Sequence, residues 1–220
     1  MPAARARLLR TWHDDAHQRI TASLPLRQSF LGLDLVVAKD DYPPGDEAFY
    51  QFVRAEVRPD DKVLDMGCGS GIVALLAAQS SSHVVAVDIN PAAVECARAN
   101  AHRNSLQSRI TCHRSDVFSA VRESFDLVIF NPPYRWFAPR SPLEMATADE
   151  GYLALRTFMA QARSHLLPQG RILLSFGSSG DIDYLHSLID QRGFAKEVVP
   201  SGTLKRHGLT VNYYHFRLTA

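Results

Sequence analysis

The stretch Val63-Leu64-Asp65-Met66-Gly67-Cys68-Gly69-Ser70-Gly71 constrains this chain more than any other. A short apolar run ends in an acid, three glycines alternate, and an apolar helical pattern starts at Ile72. Physically this is a strand, a tight turn and a helix start. Glycine permits positive φ and lets a ligand lie directly against the backbone at a helix N-terminus. The spacing is G-x-G-x-G rather than the G-x-G-x-x-G of dinucleotide binders, so alone it is a weak signal.

The pattern around it strengthens the reading. Apolar strand candidates at 62–66, 83–88, 109–114, 125–130 and 170–176 alternate with helix candidates at 71–79, 91–103, 116–122 and 151–166. Such alternation predicts βαβ units and an α/β fold with an open, doubly wound, mostly parallel sheet. A helix over 180–192 is followed by apolar residues 196–200 and an alternating run over 209–216, which predicts a terminal hairpin adding antiparallel pairing at the sheet edge. Ahead of the core, the spacing predicts a helix over 5–24, a short strand or extended arm over 31–38, a turn-rich loop over 39–45 and a helix over 47–57. The expected organisation is an N-terminal appendage, 1–40, before a core domain, 41–220.

Composition narrows the class. With 46% hydrophobic and 21% charged residues, 220 residues suit one globular domain. No apolar run approaches the roughly 18 residues of a membrane span, and the N-terminus lacks the apolar stretch of a secretory signal. Cys68, Cys96 and Cys112 have neither zinc nor C-x-x-C spacing, so no disulfide or metal is expected and a reducing cytoplasm fits. A net charge of +1 offers little field for a nucleic-acid partner.

In doubly wound sheets ligands bind at the carboxyl ends of the strands. Four features fall on that edge: the glycine turn; Asp88 and Ile89 after the second strand; Asp116-Val117-Phe118 after the third; and Asn131-Pro132-Pro133-Tyr134 after the fourth. A carboxylate at Asp88 can accept hydrogen bonds from vicinal hydroxyls, or cap the next helix, as Asn90 also can. Asp116 can accept from an adenine amino group while Val117 covers the ring, or it can be a cap. Cys68 faces the ligand by position, although its side chain can simply pack.

On these residues the sequence resembles class I S-adenosylmethionine-dependent methyltransferases of the N-P-P-Y type. Asp65, Gly67, Cys68, Gly69 and Gly71 match that superfamily's cofactor loop, Asp88 its ribose-binding acid, and Asp116-Val117 its adenine-contacting pair. The similarity spans about residues 40 to 218. The resemblance implies S-adenosylmethionine as cofactor and methylation of a planar nitrogen, with Asn131, Pro132 and Tyr134 as the catalytic set. Such a nitrogen has a delocalised lone pair and is a poor nucleophile. The Asn131 side-chain carbonyl and the Pro132 backbone carbonyl can accept both of its N–H hydrogens, aim the lone pair and stabilise developing positive charge. Two prolines make that turn rigid. The Tyr134 face can stack on the acceptor.

Asp41 to Phe49 resembles the segment before the first core helix in compact release-factor glutamine methyltransferases, with Glu47-Ala48 where those enzymes carry an acid and a threonine. Asp149-Glu150-Gly151-Tyr152 resembles an element that follows their catalytic loop. Trp136 and Phe137 either line the acceptor pocket or pack. The N-terminal helix with Trp12 can cap the site, pair subunits or bind substrate. The expected acceptor is a small molecule or a protein glutamine. An exocyclic adenine or guanine nitrogen, and a silent cofactor-binding subunit, are the alternatives.

Overall fold

The computed structural model describes residues 3–45, 47–206 and 208–220. Helix α1 (Ala3–Ser23) and a hairpin of β1 (Leu26–Phe30) and β2 (Leu33–Val37) precede α2 (Glu47–Glu56). The core then runs β3 (Lys62–Met66), α3 (Ile72–Ala78), β4 (His83–Asp88), α4 (Pro91–Arg103), β5 (Ile110–Arg114) and β6 (Phe125–Phe130). It continues through α5 (Pro142–Met145), α6 (Leu153–Gln161), β7 (Leu166–Gly177), α7 (Ile182–Gln191), β8 (Ala195–Arg206) and β9 (Leu209–Thr219).

The main sheet has the order β5-β4-β3-β6-β7-β9-β8. Strands β3 to β7 are parallel, and β9 pairs antiparallel with both β7 and β8. The expected α/β class and the antiparallel terminal hairpin are therefore present. The chain order reverses between β3 and β6, which opens a crevice at their carboxyl ends. One buried cluster on a sheet face joins β3 and β4 to α2, α3 and α4, and a second joins the other face to α6, α7 and β9. Among the described residues no helix is long and apolar enough to cross a membrane.

Two predicted helices differ. Residues 116–122 form turns, because Val117 takes φ +47° and hydroxyls replace the helical ladder. Ser115 Oγ donates to the Val117 carbonyl at 2.7 Å and accepts from Ala120 N–H, while Ser119 Oγ accepts from Asp116 N–H. Short hydroxyl side chains divert backbone from helix in this way. Residues 151–166 carry only the nine-residue α6 between two tight 3₁₀ turns, and strand β7 already begins at Leu166.

The hairpin is part of the core. Leu33 and Leu35 are buried in the cluster with α2 and α3, so a cut at residue 40 would divide that cluster. Its backbone pairs with side-chain amides of α4. Buried Asn100 accepts from Val36 N–H and donates to the carbonyls of Val36 and Ser70, and Asn104 makes the same reciprocal pair with Asp34. Each amide satisfies both groups of a strand residue that has no neighbouring strand on that side. Buried Arg171 on β7 holds Asp61 through two bonds of 3.0 and 2.8 Å and also donates to the Glu56 carbonyl, tying the end of α2 to the sheet.

Two substitutions test these ties. Asn100→Ala strands buried backbone groups and should cost about 2–4 kcal/mol in urea unfolding. Asp61→Asn leaves the buried Arg171 guanidinium with only the more distant Glu56 carboxylate at 3.9 Å and should cost about 3 kcal/mol at neutral pH. Burial raises the Asp61 carboxyl, but Arg171 and the Arg58 N–H override it and hold it below its ordinary value. Its stabilising contribution is thus present above the unfolded value of 3.8 and is lost as pH falls through the folded one. Unfolding curves at successive acid pH values should therefore decline less steeply in the Asn variant.

Candidate active site

The glycine turn is built by close approach. Gly67, Gly69 and Gly71 all have positive φ, and a Cβ on Gly71 would lie 2.8 Å from the Ala97 Cβ of α4. The turn is closed by Cys68 N–H to the Val87 carbonyl and Gly71 N–H to the Cys68 carbonyl. Asp65 is buried at the end of β3 and accepts from Ala74 N–H at 3.0 Å. Burial, aided by the Asp88 charge and opposed by that N–H, pushes its carboxyl up to about 8. Cys68 is buried and its thiol is pushed up by burial, which suits packing rather than nucleophilic chemistry.

Asp88 ends β4 with one oxygen accepting from Gly69 N–H at 3.0 Å and the other from Asn90 N–H at 2.8 Å. The cap of α4 is Asn90, which accepts from Ala92 N–H ahead of Pro91. Asp88 is therefore not the helix cap; it belongs to the glycine turn. Burial raises its carboxyl and the backbone N–H groups oppose the rise.

These groups face a single cavity of about 1070 Å³, which is also lined by Ile89, Asp116, Val117, Asn131, Pro132 and Tyr134. Ile89, 39% exposed, offers an apolar side chain beside Asp88. Val117 in the left-handed region is strained for a β-branched residue, and such strain concentrates at functional sites. Asn131 follows β6 directly, with an exposed side chain, whereas Pro132 is buried. The Tyr134 ring packs on Phe176 at 5.1 Å; burial raises its phenol, whose hydroxyl bonds that of Tyr213. The cavity thus brings together every residue expected to hold a cofactor except Gly71, which shapes the turn from behind.

Trp136 and Phe137 do not line the cavity. The structure spends both on packing α1: Trp136 joins Leu9, Trp12, Leu209 and Val211, and Phe137 lies under Arg10 and against the His13 ring. Glu47 and Ala48 are exposed away from it; their segment reaches the cavity through residues 40–43, Gly45, Phe49 and Tyr50, with Asp46 outside the described residues. Asp149 accepts from the N–H groups of Ala154 and Leu155, so it starts α6. The loop is clamped to α1 by Arg140, which bonds both Asp14 and Glu144. Burial raises the Glu144 carboxyl, but Arg140 overrides this and holds it at about 2. His13, Asp14 and Glu144 have the proximity of a metal cluster, yet the guanidinium already supplies their cation.

Asp41 was not among the expected site residues. It lines the cavity, 4% exposed, and lies against the glycine turn: its Oδ1 would be 2.9 Å from a Cβ on Gly69. Oδ1 accepts from Tyr42 N–H at 2.8 Å, and Oδ2 has no hydrogen-bond partner among the described residues. Burial, with the Asp88 charge adding to it and the Tyr42 N–H opposing, pushes the carboxyl up to about 7. Tyr42 and Tyr213 also line the cavity from distant parts of the chain. Of these, Asp41 alone carries a sequence signal, an acid before an aromatic and two prolines within the segment 41–49 that resembles the one before the first core helix of release-factor glutamine methyltransferases; the acid itself was not expected at the site.

Known proteins are similar to this chain. The release factor glutamine methyltransferase of Cereibacter sphaeroides is 34% identical over 165 residues, 68% of this chain and 59% of that protein. The tRNA1(Val) (adenine(37)-N6)-methyltransferase of Porphyromonas gingivalis is 37% identical over 122 residues, 50% of this chain and 48% of that protein. The chain thus spans between about half and three fifths of the length of these relatives. The tRNA m1G37 methyltransferase of M. jannaschii shares the fold, with a TM-score of 0.67 at 20% identity over 88% of this chain and 56% of that one. The family model for the methyltransferase small domain matches residues 29–179, and the chain belongs to that family.

Proposed function

We propose that this protein transfers a methyl group from S-adenosylmethionine to a planar nitrogen of a small molecule or a protein glutamine. The observation that carries the reading is the opening of Asn131 and Pro132, at the end of β6, into the same cavity as the glycine turn and Asp88. The residues suit this cofactor: Asp88 for the ribose hydroxyls, Ile89 and Val117 for the adenine faces, Asp116 for its amino group. The unpartnered oxygen of Asp41 is a second acceptor for its donor groups. When bound, the cofactor supplies an electrophilic methyl on sulfur.

The protein supplies orientation. Asn131 Oδ1 and the Pro132 carbonyl accept the acceptor's two N–H hydrogens, which turns the lone pair out of conjugation and stabilises positive charge as it develops. Tyr134, held by Phe176 and Tyr213, offers a ring face and keeps its proton. The adenine reading is supported by the Porphyromonas relative, whose name gives an adenine N6 acceptor; the net charge of +1 favours the first reading.

Asn131→Ala should lower turnover by about 10²–10³-fold while S-adenosylhomocysteine affinity stays within about twofold by calorimetry. Full activity in that variant would contradict the assignment. Methyl-labelled cofactor incubated with lysate, then separated into protein, nucleic-acid and small-molecule pools, identifies the acceptor class; label confined to RNA would favour the adenine reading. A cofactor that needs the Asp41 carboxylate should bind more tightly as pH rises from about 6 to 8, and more weakly by up to about tenfold per unit below its pKa. Asp65 and Asp88 share that region, so Asp41→Asn isolates the cause: it should weaken binding above pH 7 and flatten the profile.

A further inference from the structure

A second cavity, of about 200 Å³, lies between α1 and the β8–β9 hairpin. It shares Tyr42, Arg135, Leu204 and Tyr213 with the main cavity, so these four residues border both. On the far side of them, α1 contributes Trp12, Ala16, Arg19 and Ile20. The walls are aromatic and aliphatic, and the charged side chains that line the chamber are two arginines.

Several of the chain's arginines are held in ion pairs. Arg10, Arg140, Arg171 and Arg217 each sit on a carboxylate. Among the described residues neither Arg19 nor Arg135 has a carboxylate partner, and the Arg135 guanidinium lies 5.6 Å from the Tyr134 ring and acts electrostatically on His13. Arg135 stands four positions after Asn131 and faces both chambers. Arg135 is half-buried and Arg19 exposed, and both line this one small, partly apolar chamber. A planar fork also matches carboxylate or phosphate geometry in two-point fashion.

Resting on the N-methyltransferase reading, we propose that the second cavity is the anion-binding end of the acceptor site. The methyl acceptor is a low-molecular-mass compound with its planar nitrogen at Asn131 and a carboxylate or phosphate held by Arg135 and Arg19. In this proposal its body lies between Tyr42 and Tyr213, which border both cavities, where aromatic faces cover a ring. A chamber of this size takes one acidic group with its attached carbons, and a folded protein surface does not enter it.

Calorimetry on the full chain saturated with S-adenosylhomocysteine tests this, using benzoate and phenyl phosphate against benzamide as the uncharged probe. The anions should bind at least about tenfold more tightly than benzamide, and the tighter of the two identifies the acid group. Arg135→Gln and Arg19→Gln should each reduce that preference by about tenfold, with S-adenosylhomocysteine affinity unchanged as proof of folding. Equal binding of benzamide, or an intact preference in both variants, overturns the proposal. So does a short oligoribonucleotide that displaces benzoate more effectively than phenyl phosphate does, since the acceptor is then a nucleic acid. Failure of the wild type to bind S-adenosylhomocysteine strikes instead at the methyltransferase reading.

Discussion

The contact on which the site depends most is that of the glycine turn with α4. Gly71 meets Ala97 so closely that a Cβ there would lie within 2.8 Å of the Ala97 methyl. This sets α4 against the start of α3 and so places Asn100, one turn after Ala97, at the Ser70 carbonyl. The same amide takes both backbone groups of Val36. Strand β2 is thereby fixed, and the chain leaves it directly into residues 38–45, which bring Asp41 onto the outer side of Gly69. One steric requirement at a glycine thus propagates through an amide side chain to a carboxyl group in the cavity.

The side of the cavity after β6 is held differently. Strand β6 delivers Asn131 to the carboxyl edge, but the loop after it has little regular structure. Two backbone bonds pair Arg135 with Thr147 and Asp149, and Arg140 bridges the loop to α1 through Asp14 and Glu144. Phe137 and Trp136 fill the space between loop and helix. Because Glu144 stays ionised far into acid and burial depresses His13 to about 4, this clamp keeps one charge state across the physiological range.

Much of the fold was legible because hydrophobic period survives in the buried parallel strands. The runs at 62–66, 83–88 and 125–130 coincide with β3, β4 and β6, and 91–103 coincides with α4. Legibility failed where side chains, and not period, set the backbone. Ser115 and Ser119 unmake the helix read over 116–122. Strand β1, Leu26-Arg27-Gln28-Ser29-Phe30, has three polar residues at its centre and pairs only with β2, so it carries no strand signal of its own. Strand β8 extends to Arg206 well past its apolar start because β9 continues to pair with it.

The site divides along the same line. Asp65, Gly67, Asp88, Asp116 and Asn131 each stand at or just after a strand end. In a doubly wound sheet that position alone carries them to one edge, so local pattern is enough to place them together on the cavity. Asp41, Tyr42, Arg19 and Tyr213 reach the cavities from the hairpin exit, the first helix and the last strand, and only packing brings them together. The part of the cavity around the glycine turn is therefore specified by the shared topology of the sheet. The part bordered by Tyr42, Arg135 and Tyr213 is specified by how distant segments pack over it. Trp136 and Phe137 mark the difference: their place beside Tyr134 pointed to the acceptor, but the apolar face of α1 claimed them, and the adjacent Arg135 faces both cavities instead.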